Sequence, residues 1–137
     1  MLFFSAFKDE STKIPCESKK LLYSGLIFSH DFGTGTKEFV AAGTIQNSLE
    51  IWHPENGKVI RKGLGHSGSI FCIKYSAGHV FTGSDDRSIK IWDITKTGEI
   101  LSTERELWGH KGRIWAIEVL DDYLISGNGL FIYFLKI

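Results

Sequence analysis

Residues 65–93 read GHSGSIFCIKYSAGHVFTGSDDRSIKIWD, and this stretch decides the fold. A Gly-His pair opens it and a Trp-Asp pair closes it. Between them, short apolar or alternating runs at residues 70–75, 79–82 and 89–94 are separated by clusters rich in Gly, Ser and Asp. Such runs are typical of β-strands joined by tight turns. The stretch therefore predicts a small antiparallel unit.

The unit recurs along the chain at a fixed period. Gly65-His66 is echoed 44 residues later by Gly109-His110, and Ile51-Trp52 is echoed 40 residues later by Ile91-Trp92. Both spacings fall in the range of about 40–45 residues for one four-stranded WD-repeat blade. No stretch keeps an apolar period of about 3.6 residues over three turns. The sequence thus resembles WD-repeat proteins and predicts an all-β fold, a partial β-propeller of two to three four-stranded blades.

The flanking units depart from the central one. In the first, His53 follows Trp52 in place of Asp, and Gln46 stands where a turn carboxylate is expected. The last unit loses both the turn carboxylate and the Trp-Asp pair after Ser126. We predict an arm over 1–20 and a WD-repeat region over 21–137, which divides into a degenerate repeat (21–62), a complete repeat (63–106) and a truncated repeat (107–137).

The end of the chain, residues 127–137, is apolar, β-prone and uncharged until Lys136. Such a strand is prone to aggregate when it is exposed. Two interpretations stay open: a poorly matched third strand of the blade, or read-through past a truncated frame. A propeller closes with about four to eight blades, which is more than the two to three predicted from this sequence. We therefore expect open sheet edges and self-association through them.

The likeness to WD-repeat blades assigns His66, Thr82, Asp86 and Trp92 to a structural hydrogen-bonded tetrad. A turn carboxylate accepts from one imidazole nitrogen, the other nitrogen meets a strand hydroxyl, and the hydroxyl meets an indole N–H. Each buried polar group then has a partner. The same residue types also compose a catalytic Thr-His-Asp group, but a hydroxyl inside a blade is closed to substrate. We therefore predict no catalytic residues.

Cofactor and metal sites are not expected either. The Gly33–Lys37 segment matches neither the phosphate-loop nor the dinucleotide pattern. Cys16 and Cys72 are far apart in sequence, and His30, His53 and His79 lack Cys or carboxylate partners at ligand spacing. The cysteine usage favours a reducing, cytoplasmic compartment.

Charge and hydropathy narrow the classes of partner. The 16 basic and 16 acidic residues cancel, so contact with nucleic acid must be local or shared with another chain. The opening apolar stretch spans only residues 1–7 and lacks a basic start, which argues against a signal peptide. No segment approaches the roughly 20 apolar residues that span a bilayer, so no membrane contact is predicted.

The amino-acid sequence of these units is more specific than that of a generic repeat, and it is similar to the sequences of the WD-repeat protein six family. The resemblance rests on five segments: Leu22–Leu26, Phe39–Thr44, Gly65–Phe71, Ser84–Trp92 and Trp108–Trp115. It implies a non-catalytic partner of an FtsJ-type tRNA 2′-O-methyltransferase that methylates the ribose of the wobble nucleotide. The propeller would hold the enzyme and help present the tRNA, while the methyl donor and catalytic residues belong to the partner chain.

Two arginines are the candidates for contact with a partner or RNA. Arg87 and Arg113 fall where a propeller exposes loops, and the planar guanidinium suits phosphates and interfaces. The alternative for each is a solvated or inter-blade salt-bridging arginine. Trp108 and Trp115 are expected to pack between blades. A generic adaptor in another protein assembly and an inactive truncated fragment remain the alternative functions.

Overall fold

A computed structural model describes residues 2–3, 20–21, 27–33, 39–44 and 46–137, and side chains from Phe39 onward. Every regular element in these ranges is a β-strand. Among the described residues no helix is long and apolar enough to cross a membrane. The strands are β1 (Leu2–Phe3), β2 (Lys20–Leu21), β3 (Ile27–Gly33), β4 (Phe39–Thr44), β5 (Leu49–Trp52), β6 (Val59–Gly63), β7 (Ile70–Ser76), β8 (His79–Ser84), β9 (Ile89–Asp93), β10 (Ser102–Leu107), β11 (Ala116–Leu120), β12 (Tyr123–Gly127) and β13 (Ile132–Lys136).

Three antiparallel meanders carry most of these strands, which confirms the all-β, partial propeller prediction. Blade 1 has the strand order β3-β4-β5-β6, blade 2 has β7-β8-β9-β10, and blade 3 has β11-β12-β13. Strands β1 and β2 pair separately, Leu2 with Leu21 and Phe3 with Lys20. Connections inside the blades are short: Ala77 and Gly78, both at positive φ, turn β7 into β8. Two such residues match the turn that fits the twist of a hairpin.

The core lies between the blades, because the central strands of blade 2 bury both faces. Val80 and Trp92 pack toward blade 1 in one apolar cluster. Phe81 and Ile91 alternate with them and pack toward blade 3 in a second cluster. Alternate residues of a strand point to opposite faces, so each face serves one neighbour. Burial of each large apolar side chain stabilises the fold by about 1.5–3 kcal/mol.

Gly83 sets how closely blades 2 and 3 approach. A Cβ at this position would lie 2.5 Å from Cys72 Sγ and 2.7 Å from Ile114 Cγ2. Ile114 belongs to the connection between β10 and β11 that leads into blade 3. Neither distance is compatible with a side chain, so only glycine fits without moving the two elements apart. Burial of Cys72 here raises the pKa of its thiol to about 12, which makes it an unreactive packing residue.

Hydrogen bonds of the backbone also join blades 1 and 2 at their outer edges. Lys62 in β6 donates to Glu99 O at 2.8 Å and accepts from Leu101 N at 2.7 Å. Arg61 adds side-chain bonds to the carbonyls of Gly98 (2.7 Å) and Ile94 (2.8 Å). The outer strand of one blade is thereby fastened to the segment that leads into the outer strand of the next.

Residues 132–136 form the third strand of blade 3, as expected if the terminal stretch is a poorly matched strand of that blade. β13 pairs with β12 in an unbroken register from Tyr123↔Lys136 to Gly127↔Ile132. Its residues are all exposed, and its outer edge carries no fourth strand within the described ranges. The exposed, open-edged strand expected from the sequence is therefore present.

The predicted subdivision remains a prediction. The three sheets extend over residues 27–63, 70–107 and 116–136. Of the predicted arm over residues 1–20, only residues 2, 3 and 20 lie among the described residues.

Candidate binding groove above a buried polar tetrad

The candidate site lies at one end of the blades, which we call the loop end. It is formed by the connections β6–β7 (64–69), β8–β9 (85–88) and β10–β11 (108–115). Antiparallel strands reverse direction at each turn, so these three connections share an end while the β7–β8 turn lies at the other. All the predicted site residues except Thr82 and Trp92 belong to these connections, and those two lie on the strands below.

The tetrad residues are brought together beneath the loop end. His66 Nδ1 lies 2.8 Å from Asp86 Oδ2, and His66 Nε2 lies 2.7 Å from Thr82 Oγ1. Trp92 Nε1 donates to the same hydroxyl at 2.9 Å. Since a carboxylate can only accept, the imidazole carries its proton on Nδ1 toward Asp86, and Nε2 of the neutral ring accepts the proton of the Thr82 hydroxyl. The four residues thus form the hydrogen bonds that the resemblance to WD-repeat blades predicts.

The carboxylate of Asp86 is fully occupied. Oδ1 accepts from Ser88 N at 2.8 Å and Ser88 Oγ at 2.6 Å. Oδ2 accepts from Ser67 N at 2.9 Å as well as from His66. Burial acts to raise the pKa of Asp86, but these hydrogen bonds outweigh it and hold the pKa below its ordinary value. Asp86 therefore ties the 64–69 loop to the 85–88 turn as an anion.

Burial lowers the pKa of His66 below its ordinary value, against the opposing effect of the Asp86 carboxylate. The imidazole is thus neutral near pH 7. Thr82 has no exposed surface, and His66 is only 6% exposed. A substrate has no route to this hydroxyl.

An open groove of about 480 Å³ lies above the tetrad, between the three connections. Its lining includes Asp86 and His110, with Arg87, Trp108 and Lys111 beside them. The loops meet closely at its base: a Cβ on Gly68 would lie 2.7 Å from Asp86 N. Trp108 is 67% exposed, so the expectation that it packs between blades was wrong.

Arg87 and Arg113, the two predicted contact residues, occupy different settings. Arg87 is exposed at the groove, with a positive φ of 70° in the β8–β9 turn. Arg113 bridges blades 2 and 3: Nε donates to Asp85 Oδ1 at 2.7 Å, and the guanidinium lies 4.2 Å from the Phe71 ring centroid. Arg113 thus has the inter-blade role that the sequence left open as its alternative.

Trp115 shares this cluster and is only partly as expected. It meets the Phe71 ring edge-on at 5.3 Å, across the boundary between the blades. It nevertheless keeps 55% of its surface exposed. The sequence predicted packing between blades for Trp108 and Trp115, but it did not indicate how much of each ring the folded loops leave open.

Blade 3 holds half of a tetrad. His110 Nε2 lies 2.8 Å from Ser126 Oγ, as His66 does from Thr82. Burial lowers the pKa of His110, and its Nδ1 is buried without a hydrogen-bond partner. Leu135 pairs with Leu124 in the register that Trp92 has with Val80, so no indole N–H reaches the hydroxyl.

The opposite end holds a polar cluster that the sequence did not reveal. His79 was expected to lack a carboxylate partner, but its Nε2 lies 2.7 Å from Glu104 Oε2 because β8, β9 and β10 are adjacent. Asp93 joins them, with ligand atoms of the three within 4.8 Å of one another. The Asp93 carboxylate already accepts a hydrogen bond from Thr95 N and pairs with Lys96. Hydrogen bonds from Thr95 lower the pKa of Asp93 to about 2. The three side chains thus form a polar cluster in which Asp93 already has partners of its own.

Comparisons with known proteins add three findings. The sequence model of the WD40 family, WD domain, G-beta repeat, matches residues 57–93. The chain is 32% identical over 129 residues to the tRNA (34-2′-O)-methyltransferase regulator WDR6 of Homo sapiens, covering 85% of this chain and 11% of that protein. It is 30% identical over 79 residues to the WD repeat-containing protein 26 homolog of Arabidopsis thaliana, covering 56% of this chain and 13% of that protein.

Among solved structures, the WD40 β-propeller domain of Doa1 superposes with a TM-score of 0.71 at 16% identity. The match covers 83% of this chain and 38% of that one, and it supports the fold alone. The chain spans about a tenth of the length of the WDR6 regulators it matches.

Proposed function

Because the chain is a WD-repeat protein with a partial β-propeller fold, we propose that it is a non-catalytic scaffold for 2′-O-ribose methylation of the tRNA wobble nucleotide. The scaffold binds a methyltransferase of the FtsJ type and helps present the tRNA to it, in the cytoplasm. The carrying observation is the similarity to the WDR6 regulators, which extends well beyond the one repeat that the WD40 family model matches.

The geometry supports a division of labour between this chain and an enzyme. The described residues that most resemble a catalytic group are bound to one another: Thr82 Oγ1 is shared between His66 and Trp92. Moving that hydroxyl toward a substrate would orphan two buried donors or acceptors, at a cost of about 1–3 kcal/mol each. The tetrad therefore serves the blade, and the methyl donor and catalytic residues belong to the partner.

A reconstitution experiment tests the proposal. The chain is co-expressed with the methyltransferase, and the pair is purified through a tag on the chain. Ribose methylation at tRNA position 34 is then measured by mass spectrometry, with the methyltransferase alone and the chain alone as references. We expect co-purification, higher methylation with both chains, and none from this chain alone.

The variant Thr82→Val serves as a control for hidden catalysis, since it removes the hydroxyl at nearly constant volume. As a scaffold, the chain should lose activity only in proportion to the folded protein that it loses. Methylation by the chain alone, abolished by Thr82→Val, contradicts the non-catalytic role. Absence of the methyltransferase from the purified material, or methylation that is independent of the chain, favours the alternatives of a generic adaptor or an inactive fragment.

A further inference from the structure

We propose that the loop-end groove binds single-stranded RNA, with a base stacked on Trp108 and the flanking phosphates held by Arg87 and Lys111. This inference rests on the proposed function, since it names the RNA-contacting surface of that scaffold. It is carried by the charges, the exposed indole and the composition of the groove, none of which enters the argument for binding the methyltransferase.

The electrostatics of the groove favour an anion, although two carboxylates lie beside it. Asp86 spends all its acceptor capacity on His66, Ser67 and Ser88, and Asp85 is paired with Arg113. Within the described ranges, Arg87 and Lys111 make no ion pair. The local excess is therefore two cations in a chain of zero net charge. Such a patch contacts one or two phosphates, not a long duplex.

Trp108 supplies a surface for a base. Its indole is 67% exposed and lines the same groove as the two cations. Stacking of unpaired bases on aromatic rings is how proteins bind RNA loops and single strands.

The composition of the groove argues for RNA over a protein partner. No aliphatic side chain lines it: its residues are Ser67, Gly68, Asp85, Asp86, Arg87, Trp108, His110 and Lys111. The cores of protein interfaces are depleted in charge and rich in apolar side chains. Among the described residues, the exposed aliphatic side chains are not part of this lining: Leu64 lies in the 64–69 connection outside it, and Leu130 and Ile132 lie on blade 3. Cations beside an exposed indole are typical of sites that bind the phosphates and the bases of a single-stranded nucleic acid.

Binding to a short unstructured RNA tests the groove directly. The full chain is titrated against a fluorescently labelled oligouridine of about ten nucleotides, and anisotropy is followed at several salt concentrations. Two phosphate contacts give a slope of about −1.4 for log affinity against log salt on a single strand. Arg87→Gln and Lys111→Gln should each make the slope shallower by about 0.7.

Trp108→Ala should weaken binding by about tenfold, whereas Trp108→Phe keeps a stacking ring and should weaken it less. Arg105→Gln is the matched control, because it removes an exposed arginine that lines a cleft at the opposite end. It should leave affinity and slope unchanged. Circular dichroism and the thermal midpoint report whether each surface variant remains folded.

Unchanged affinity and slope in Arg87→Gln, Lys111→Gln and Trp108→Ala would overturn the proposal, and so would equal losses in Arg105→Gln. If the groove variants instead abolish co-purification of the methyltransferase while RNA affinity persists, the groove is a protein-contact surface and the RNA assignment is wrong. Groove-dependent RNA binding without methyltransferase capture leaves this inference standing while the proposed function fails.

Discussion

In blade 2 the imidazole of His66 bonds both a carboxylate and a hydroxyl, whereas in blade 3 the equivalent His110 bonds a hydroxyl alone. Asp86 fastens the turn of blade 2 to the loop before it, through Ser67 N. In blade 3, Asn128 Oδ1 accepts from Leu130 N and Phe131 N and closes only its own turn. In blade 2 the carboxylate thus adds a link between the turn and the loop before it, beside the hydrogen bonds from Asp85 N to Ser69 O and from Ser84 Oγ to Gly68 O, both at 2.9 Å.

Trp92→Leu gives blade 2 the residue type that blade 3 has at this register, and it should have the largest effect. The indole has no exposed surface and packs against blade 1, since a Cβ on Gly63 would lie 2.9 Å from the ring. Loss of ring volume and of the bond to Thr82 should cost about 3 kcal/mol, measured by urea unfolding followed by circular dichroism. Trp108→Leu, at an exposed ring, is the control and should cost almost nothing. Equal losses in both variants would contradict the packing role of Trp92.

Asp86→Ala and Asp85→Ala compare two adjacent carboxylates of the same turn. Asp86→Ala leaves Ser67 N without its acceptor and leaves His66 Nδ1 with only the longer contact to Ser88 Oγ at 3.2 Å, so it should cost about 2 kcal/mol. Asp85→Ala removes a half-exposed pair with Arg113 and should cost less than about 1 kcal/mol. Thermal and urea midpoints measure both variants. A midpoint for Asp86→Ala that equals the parent's would show that the tetrad contributes nothing to stability.

The tetrad was predictable because repeat spacing and residue chemistry define it: the hydroxyl, imidazole, carboxylate and indole recur at set places in the blade motif. The all-β class and the expectation of two to three blades followed from the same period. The groove was not predictable, since the exposure of Trp108 depends on how the loops 64–69 and 108–115 fold over the turn. Likewise, His79 meets Glu104 through the register of three strands, although 25 residues separate them in sequence.

The two blade histidines should make the chain sensitive to mild acid. The pKa of His66 is lowered in the folded state, so the unfolded chain takes up a proton first as the pH falls. The contribution of His66 to the free energy of unfolding is complete above the pKa of histidine in the unfolded chain, about 6.5. Below that pH it declines, by at most about 1.4 kcal/mol per pH unit for one proton. The lowered pKa of Asp86 acts only in stronger acid, near and below about pH 4.

Thermal midpoints between pH 7.5 and 5.5 measure this dependence in the parent, His66→Gln and His110→Gln. Each variant removes one histidine whose pKa burial lowers, so each should flatten the profile. The variants also separate the blades, because only His66 has a carboxylate that favours its protonated form. A parent profile that is flat over this range, or one that neither variant changes, would show that the histidines do not govern the acid sensitivity.

The smallest effect expected is a gain in stability, and it comes from the turn position that blades 1 and 2 share. Arg87 and its counterpart Asn47 both have positive φ, 70° and 65°. Asn adopts this conformation more readily than Arg, so Arg87→Asn should raise the free energy of unfolding by about 0.5 kcal/mol, and the reciprocal Asn47→Arg should lower it by a similar amount. Urea midpoints at unchanged slope measure both. If Arg87→Asn also weakens RNA binding, the arginine supplies a cation to the groove at the expense of stability. If Arg87→Asn instead lowers the stability, Arg87 makes contacts that outweigh its backbone strain.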